Sequence, residues 1–127
     1  MKNTFFSNFI ILIKGMCMGI ADIVPGVSGG TIAIITGVYE ELLKTINGLD
    51  FKILNELKKG NNKKIWKNYN LNFLFFLGFG ILSSIIILSH FILIILNDYP
   101  VALWSLFLGL ISSSIIFLFK STTKLNF

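Results

Sequence analysis

Residues 22–39 break an otherwise apolar part of the chain, and this break limits how the chain can fold. The segment reads D-I-V-P-G-V-S-G-G-T-I-A-I-I-T-G-V-Y, with one proline and four glycines. Non-helical backbone at membrane depth is tolerated only where protein covers it or where it lines a water-filled cavity. In a membrane protein, such a segment therefore predicts a site as well as a turn.

The composition indicates a membrane protein. Of the 127 residues, 54% are hydrophobic and only 13% are charged, which is too few charged groups to cover a soluble domain of this size. The net charge of +5 rests on lysine alone, because the chain contains no arginine. The lysines cluster near the predicted membrane edges, where they set topology and meet anionic lipid. We therefore expect a multi-pass inner-membrane protein, with the membrane and not a nucleic acid as its partner.

Four apolar stretches predict the helices: residues 5–24, 27–38, 71–96 and 101–119. At about 1.5 Å per residue, the second stretch reaches only about 18 Å, whereas the hydrocarbon core is about 30 Å thick. The last two stretches are long enough to cross, and the turn residues 97–100 join them. The predicted fold is all-α: a polytopic membrane protein with a broken or re-entrant helical hairpin followed by a transmembrane helical hairpin.

These stretches divide the chain into three regions. Residues 1–46 form the broken hairpin, residues 47–70 form a basic interfacial loop, and residues 71–127 form the second hairpin and a short tail. The middle region contains six lysines and two acidic residues, and it includes a predicted short interfacial helix. Under the positive-inside rule, this loop and both termini are cytoplasmic, and the turn at Asp98 faces outward.

The break itself has the chemistry of a helix end followed by a helix start. Pro25 disfavours helix at the preceding residue, and Gly26 permits the backbone angles needed to reverse direction. Ser28 is a favourable N-cap for a helix that begins near Gly29. A half-helix that begins inside a membrane presents backbone N–H groups and the positive end of its dipole.

Two interpretations of this segment stay open on the pattern alone. The first is an anion site of the kind that transporters build from half-helix N-termini. Its candidate residues are Ser28, Gly29, Gly30 and Thr31. The second is a glycine-rich kink that allows close helix packing, since Gly15 and Gly19 form a G-x-x-x-G pattern and Gly26 and Gly30 form another.

Three charged residues lie close to the break in sequence. Asp22 has two possible roles, to carry a coupling proton or cation or to cap the next helix. Lys14 pairs with Asp22 through a partner helix, attracts an anion, or extends to the interface. Glu40 follows the half-helix; a solvated carboxylate is its simplest interpretation, and a coupling or capping role is the alternative.

The remaining polar residues indicate packing. We interpret His90 and the serines 83, 84 and 112–114 as residues that pack or hydrogen-bond between helices. The sequence shows no metal-ligand cluster, nucleophile triad or hydrolase-type carboxylate pair. We therefore expect no metal and no cofactor.

Residues 14–40 read K-G-M-C-M-G-I-A-D-I-V-P-G-V-S-G-G-T-I-A-I-I-T-G-V-Y-E. This segment resembles the N-terminal signature of the bacterial polyprenyl-phosphate transporters, or undecaprenyl phosphate translocases. Two later segments also resemble this family, N-L-N-F-L-F-F-L-G-F-G-I-L and Y-P-V-A-L-W-S-L-F-L-G-L-I. The resemblance implies a transporter and not an enzyme. Such a transporter returns the lipid carrier across the cytoplasmic membrane for envelope synthesis, including that of peptidoglycan. The resemblance also implies that the anion at the break is the phosphate of the carrier.

The chain departs from this family in one respect. Full-length members resemble a duplication with a second P-G-x-S-G motif, whereas Pro100 is the only later proline and no such motif follows it. We therefore expect one half of a transporter, completed by a second half or by another copy in a homo-oligomer. The alternative hypothesis is a non-transporting assembly subunit that packs through its G-x-x-x-G faces.

Overall fold

The computed structural model describes residues 4–49, 66 and 69–125, and these residues form five α-helices without any strand. The helices are α1 (Thr4–Ile23), α2 (Gly29–Ile35), α3 (Tyr39–Gly48), α4 (Leu71–Asp98) and α5 (Pro100–Leu125). The interfacial helix predicted within the basic region 47–70 lies outside the described residues. The predicted all-α fold is confirmed.

Three of the helices are long and apolar enough to cross a membrane: Phe5–Ile23, Leu71–Asp98 and Pro100–Thr122. The hairpin of α4 and α5 is tighter than predicted, because only Tyr99 separates the two helices. Pro100 is the first residue of α5, a position that suits proline because the missing N–H would have no partner there.

The second apolar stretch is shorter as a helix than its sequence predicts. Residues 27–38 are apolar throughout most of their length, yet α2 contains only seven residues. Gly37 adopts a left-handed φ of +72°, and α3 begins two residues later. The predicted stretch 27–38 therefore holds one short helix that ends at a glycine turn, and α3 is a separate helix beyond it.

Small residues bring α1 and α4 into backbone contact, and the two helices run in the same direction. A Cβ atom added to Gly15 would overlap the carbonyl of Leu77, and one added to Gly80 would overlap the carbonyl of Leu12. Near the N-terminal ends of the two helices, Asn72 Nδ2 donates a hydrogen bond of 3.0 Å to the side chain of Asn8. Close approach of this kind is the usual way in which helices associate without a hydrophobic driving force in lipid.

The buried core lies where this helix pair meets α2. It consists of Met18, Ala33, Val38, Phe73 and Leu77. Ala33 is fully buried, so α2 packs against α1 with its small side chains. The core therefore holds the broken hairpin against α4.

The break lies partway along the second hairpin and not at its end. Gly19 contacts α4 at Ile81 and Ser84, so α1 ends near the level of residues 85–88. Helix α4 continues to Asp98, about ten residues or about 15 Å further. This geometry agrees with a re-entrant hairpin, because the chain turns back before it reaches the far end of α4.

Candidate functional site

The turn after α1 has the sequence and geometry of a type II β-turn. The N–H of Val27 donates to the carbonyl of Val24 at 3.2 Å. Pro25 occupies the second position and Gly26 the third, with a φ of +89°. Proline suits the second position of this turn, and glycine suits the positive φ of the third. The predicted backbone break at Pro25 and Gly26 is thus a defined turn.

Helix α2 begins at Gly29, as the sequence predicts, but its cap comes from a different residue. Ser28 has the extended backbone of an N-cap, yet its side chain makes no capping hydrogen bond. Instead, Asp22 Oδ1 accepts a hydrogen bond of 2.7 Å from the N–H of Gly29. A carboxylate at this position also interacts favourably with the positive end of the helix dipole.

The other end of α2 is held by Lys14. Its Nζ donates a hydrogen bond of 2.7 Å to the carbonyl of Thr36, the C-cap residue. Two backbone bonds complete a Schellman motif here, from Val38 to Ala33 and from Gly37 to Ile34. Lys14 therefore binds α2 and does not extend to the interface.

Together, Asp22 and Lys14 bind opposite ends of one short helix. The carboxylate lies at the N-terminus and the ammonium at the C-terminus, which is the favourable arrangement of charges at both ends of the dipole. Both side chains come from α1, two turns apart. The coupling role predicted for Asp22 stays a prediction.

A groove of about 490 Å³ opens beside the break, between α2 and α5. One wall includes Ser28 and Thr31, two of the predicted anion-binding residues, and the opposite wall includes Ser113 of α5. The hydroxyls of these three residues have no hydrogen-bond partner among the residues that the structure describes. Hydroxyls without protein partners can bind an anionic oxygen directly.

The structure does not bring all the predicted site residues to this groove. Gly29 is buried, and its N–H is occupied by Asp22. Gly30 is exposed, and a Cβ atom added there would contact only Ser28 Oγ at 3.5 Å. Glu40 lies in the first turn of α3, exposed, with its carboxylate 4.0 Å from Lys44 Nζ.

Helix α5 provides groove residues that the sequence does not assign to the anion site. Ser113, Phe117 and Leu118 line the groove, whereas the sequence pattern indicates packing roles for the serines at 112–114. That interpretation holds for Ser114, whose Oγ lies 2.9 Å from the carbonyl of Gly26. A run of three serines in an apolar helix was the available signal, but it does not tell which serine faces the break.

A second, smaller cavity of about 340 Å³ lies near the start of α4, lined by Glu41, Lys44, Thr45, Gly48, Tyr69 and Asn70. Asn70 Nδ2 donates a hydrogen bond of 2.8 Å to Glu41 there. No set of three His, Cys, Asp or Glu side chains among the described residues is placed to hold a metal ion.

Three membrane-length helices define a helical membrane protein, and a hydroxyl-lined groove lies beside its helix break. The chain belongs to the undecaprenyl phosphate translocase-like family, whose model matches residues 18–127. A curated relative, the polyprenyl-phosphate transporter of Vibrio cholerae serotype O1, is 43% identical over 103 residues. The aligned part is 81% of this chain and 33% of the relative, so the chain spans about a third of that protein's length. No solved structure matches the chain.

Proposed function

We propose that this chain is a polyprenyl-phosphate transporter, or one half of one, and that its groove binds the substrate phosphate. The observation that carries this proposal is the convergence of three unpartnered hydroxyls on one groove beside the break, from Ser28, Thr31 and Ser113. The name of the Vibrio cholerae relative supports the choice of substrate.

The physical role of such a groove is to lower the cost of moving a charged headgroup through the membrane. A charge in the hydrocarbon core is expensive unless polar groups replace its hydration. Hydroxyls in the groove would bind the phosphate oxygens, while the isoprenoid tail stays in contact with lipid. The protein thus acts on the position of the lipid and performs no chemical step on it.

The Asp22 carboxylate constrains how the phosphate binds. It occupies the N–H of Gly29, and two anions at one helix end repel each other. Phosphate binding through the N–H of Gly29 thus requires that Asp22 move away. Binding through the hydroxyls of Ser28 and Thr31 does not require this.

We further propose that the protein is a multi-pass protein of the bacterial cytoplasmic membrane, where it recycles the carrier lipid for envelope synthesis. Because the chain spans about a third of the relative, we infer that a second half, or another copy of the chain, completes the transporter. The division into a broken hairpin (1–46), a basic cytoplasmic loop (47–70) and a second hairpin (71–127) fits this proposal.

The alternative, an assembly subunit that packs through its G-x-x-x-G faces, is less well supported. Gly15 and Gly19 already contact α4 of the same chain, so this face is not available to a partner helix. Gly30 is exposed, but one glycine does not form a packing face.

A double variant, Ser28→Ala with Thr31→Val, tests the proposal. In cells that depend on this protein for carrier recycling, we expect inward transport to fall about tenfold or more, since each lost hydrogen bond to a charged group is worth about 1.5–3 kcal/mol. Polyprenyl phosphate would then accumulate in the outer leaflet, as measured with a membrane-impermeant phosphate-binding reagent.

The matched control is Ser105→Ala, which removes a hydroxyl that bonds within α5 to Val101 and does not line the groove. We expect this variant to transport normally. Normal transport by the double variant, at normal protein abundance, would refute the proposed function and favour the assembly role.

A further inference from the structure

We propose that α5 forms the second half of the substrate site, with Ser113 as a ligand of the phosphate and with Phe117 and Leu118 as the contact for the start of the isoprenoid chain. This inference rests on the proposed function and adds an orientation for the substrate. The lining of the groove combines residues of the break with residues from two successive turns of α5.

Two neighbouring serines of α5 have different environments. Ser114 Oγ lies 2.9 Å from the carbonyls of both Gly26 and Leu110, so its hydroxyl is engaged in holding α5 against the turn. Ser113 has no side-chain hydrogen bond to any described residue and lines the groove. Ser114 therefore positions the helix, and Ser113 is left to bind a ligand.

The contact through Ser114 places Ser113 opposite the hydroxyls of the break. Gly26 approaches α5 so closely that an added Cβ atom would lie 2.5 Å from Ser114 Oγ. This approach brings Ser113 into the same groove as Ser28 and Thr31. A phosphate group has several acceptor oxygens, so hydroxyls from both walls can donate to it at once.

The apolar part of the groove lies one turn further along α5. Phe117 follows Ser113 by four residues, and Leu118 follows Ser114 by four, so each pair shares a helix face about 6 Å apart along the axis. Both apolar side chains are largely exposed, and their position suits a hydrocarbon chain that enters from lipid. The groove thus orients a ligand so that its phosphate lies at Ser113 and its isoprenoid chain points toward the C-terminal end of α5.

Binding of farnesyl phosphate and of farnesol to the full chain in lipid nanodiscs tests this orientation. We expect Ser113→Ala to weaken farnesyl phosphate binding about tenfold or more, the usual effect of losing a hydrogen bond to a charged group, and to leave farnesol binding unchanged. We expect Phe117→Ala to weaken both ligands by a similar factor, because both carry the same isoprenoid chain.

The control for Ser113 is its neighbour Ser112, which is also exposed and has no hydrogen-bond partner among the described residues, but does not line the groove. Ser112→Ala should bind both ligands as the unmodified chain does. Equal binding by Ser113→Ala, together with weakened binding by the Ser28→Ala, Thr31→Val variant, would overturn the role of α5 and leave the proposed function standing. If farnesyl phosphate binds no more tightly than farnesol, and no groove variant changes the affinity for either ligand, both proposals fail.

Discussion

Position 29 has no room for a side chain larger than that of glycine, because the Asp22 carboxylate lies directly against the α-carbon of Gly29. A Cβ atom added to Gly29 would lie 2.5 and 2.6 Å from the two carboxylate oxygens, closer than real Cβ contacts allow. The same carboxylate caps the N-terminus of α2. Glycine at position 29 therefore decides whether Asp22 can cap the N-terminus of α2.

The adjacent glycines allow a matched test of this cap. We expect Gly29→Ala to displace Asp22 and to destabilise the protein by about 0.5–2 kcal/mol, the typical cost of a lost N-cap. Gly30→Ala has space for the added methyl group, and alanine favours helix over glycine, so its stability should be unchanged or higher. Thermal unfolding of both variants in detergent measures the difference, and equal melting temperatures would contradict the role of Asp22.

Helix α2 depends on its neighbours more than on its own sequence. With seven residues, it is far shorter than the length at which isolated helices become stable in water. Asp22 and Lys14 satisfy its two ends, and Ala33 packs into the core. A half-helix held in this way presents a fixed groove wall without being long enough to cross the membrane.

The contact between α1 and α4 depends on Gly80 of α4 and not on Gly78. We expect Gly80→Ala to destabilise the protein by about 1–3 kcal/mol, because the added methyl group overpacks a backbone contact with Leu12. Gly78 lies two residues earlier in the same helix and has nothing within 4 Å of an added Cβ atom. Gly78→Ala should therefore melt at or above the temperature of the unmodified chain, and a similar loss in both variants would indicate that helix packing is not the cause.

The whole molecule leaves much apolar surface, and the carboxylate of Asp22, exposed among the described residues. Most large side chains of α5 are exposed, and Asp22 is exposed although it lies at the depth of the break. A carboxylate at membrane depth normally faces protein or a water-filled cavity. These surfaces fit the proposal that a second half covers the groove.

The orientation in the membrane is also a property of the whole molecule. In a Cys17→Ala background, we expect a cysteine introduced as Asn97→Cys to react with a membrane-impermeant maleimide in intact spheroplasts. One introduced as Lys120→Cys should react only after the membrane is opened, because the positive-inside rule places that end in the cytoplasm. The reverse pattern would invert the orientation, and labelling of both sites from one side would contradict a crossing by α5.

Much of the fold is predictable from the sequence because hydrophobicity and backbone preference act locally. The apolar stretches 71–96 and 101–119 correspond to α4 and α5, and Pro25 with Gly26 marks the turn. The start of α2 at Gly29 follows from the same local chemistry. The early end of α2 at Ile35 is not predicted, because its signal is the single glycine at position 37 in an apolar run.

The sequence by itself determined that this chain is a helical membrane protein with a break after α1, since these properties depend on residues close together in the chain. Only the tertiary structure decided which groups meet at that break. Ser114 bonds to Gly26 across 88 positions, and Lys14 bonds to Thr36 across 22. Such contacts depend on the depth and rotation at which helices pack, and these are set by the glycine contacts between α1 and α4 and by the turn after α1. For this reason, the sequence indicated one wall of the groove, and the packing of α5 supplied the other.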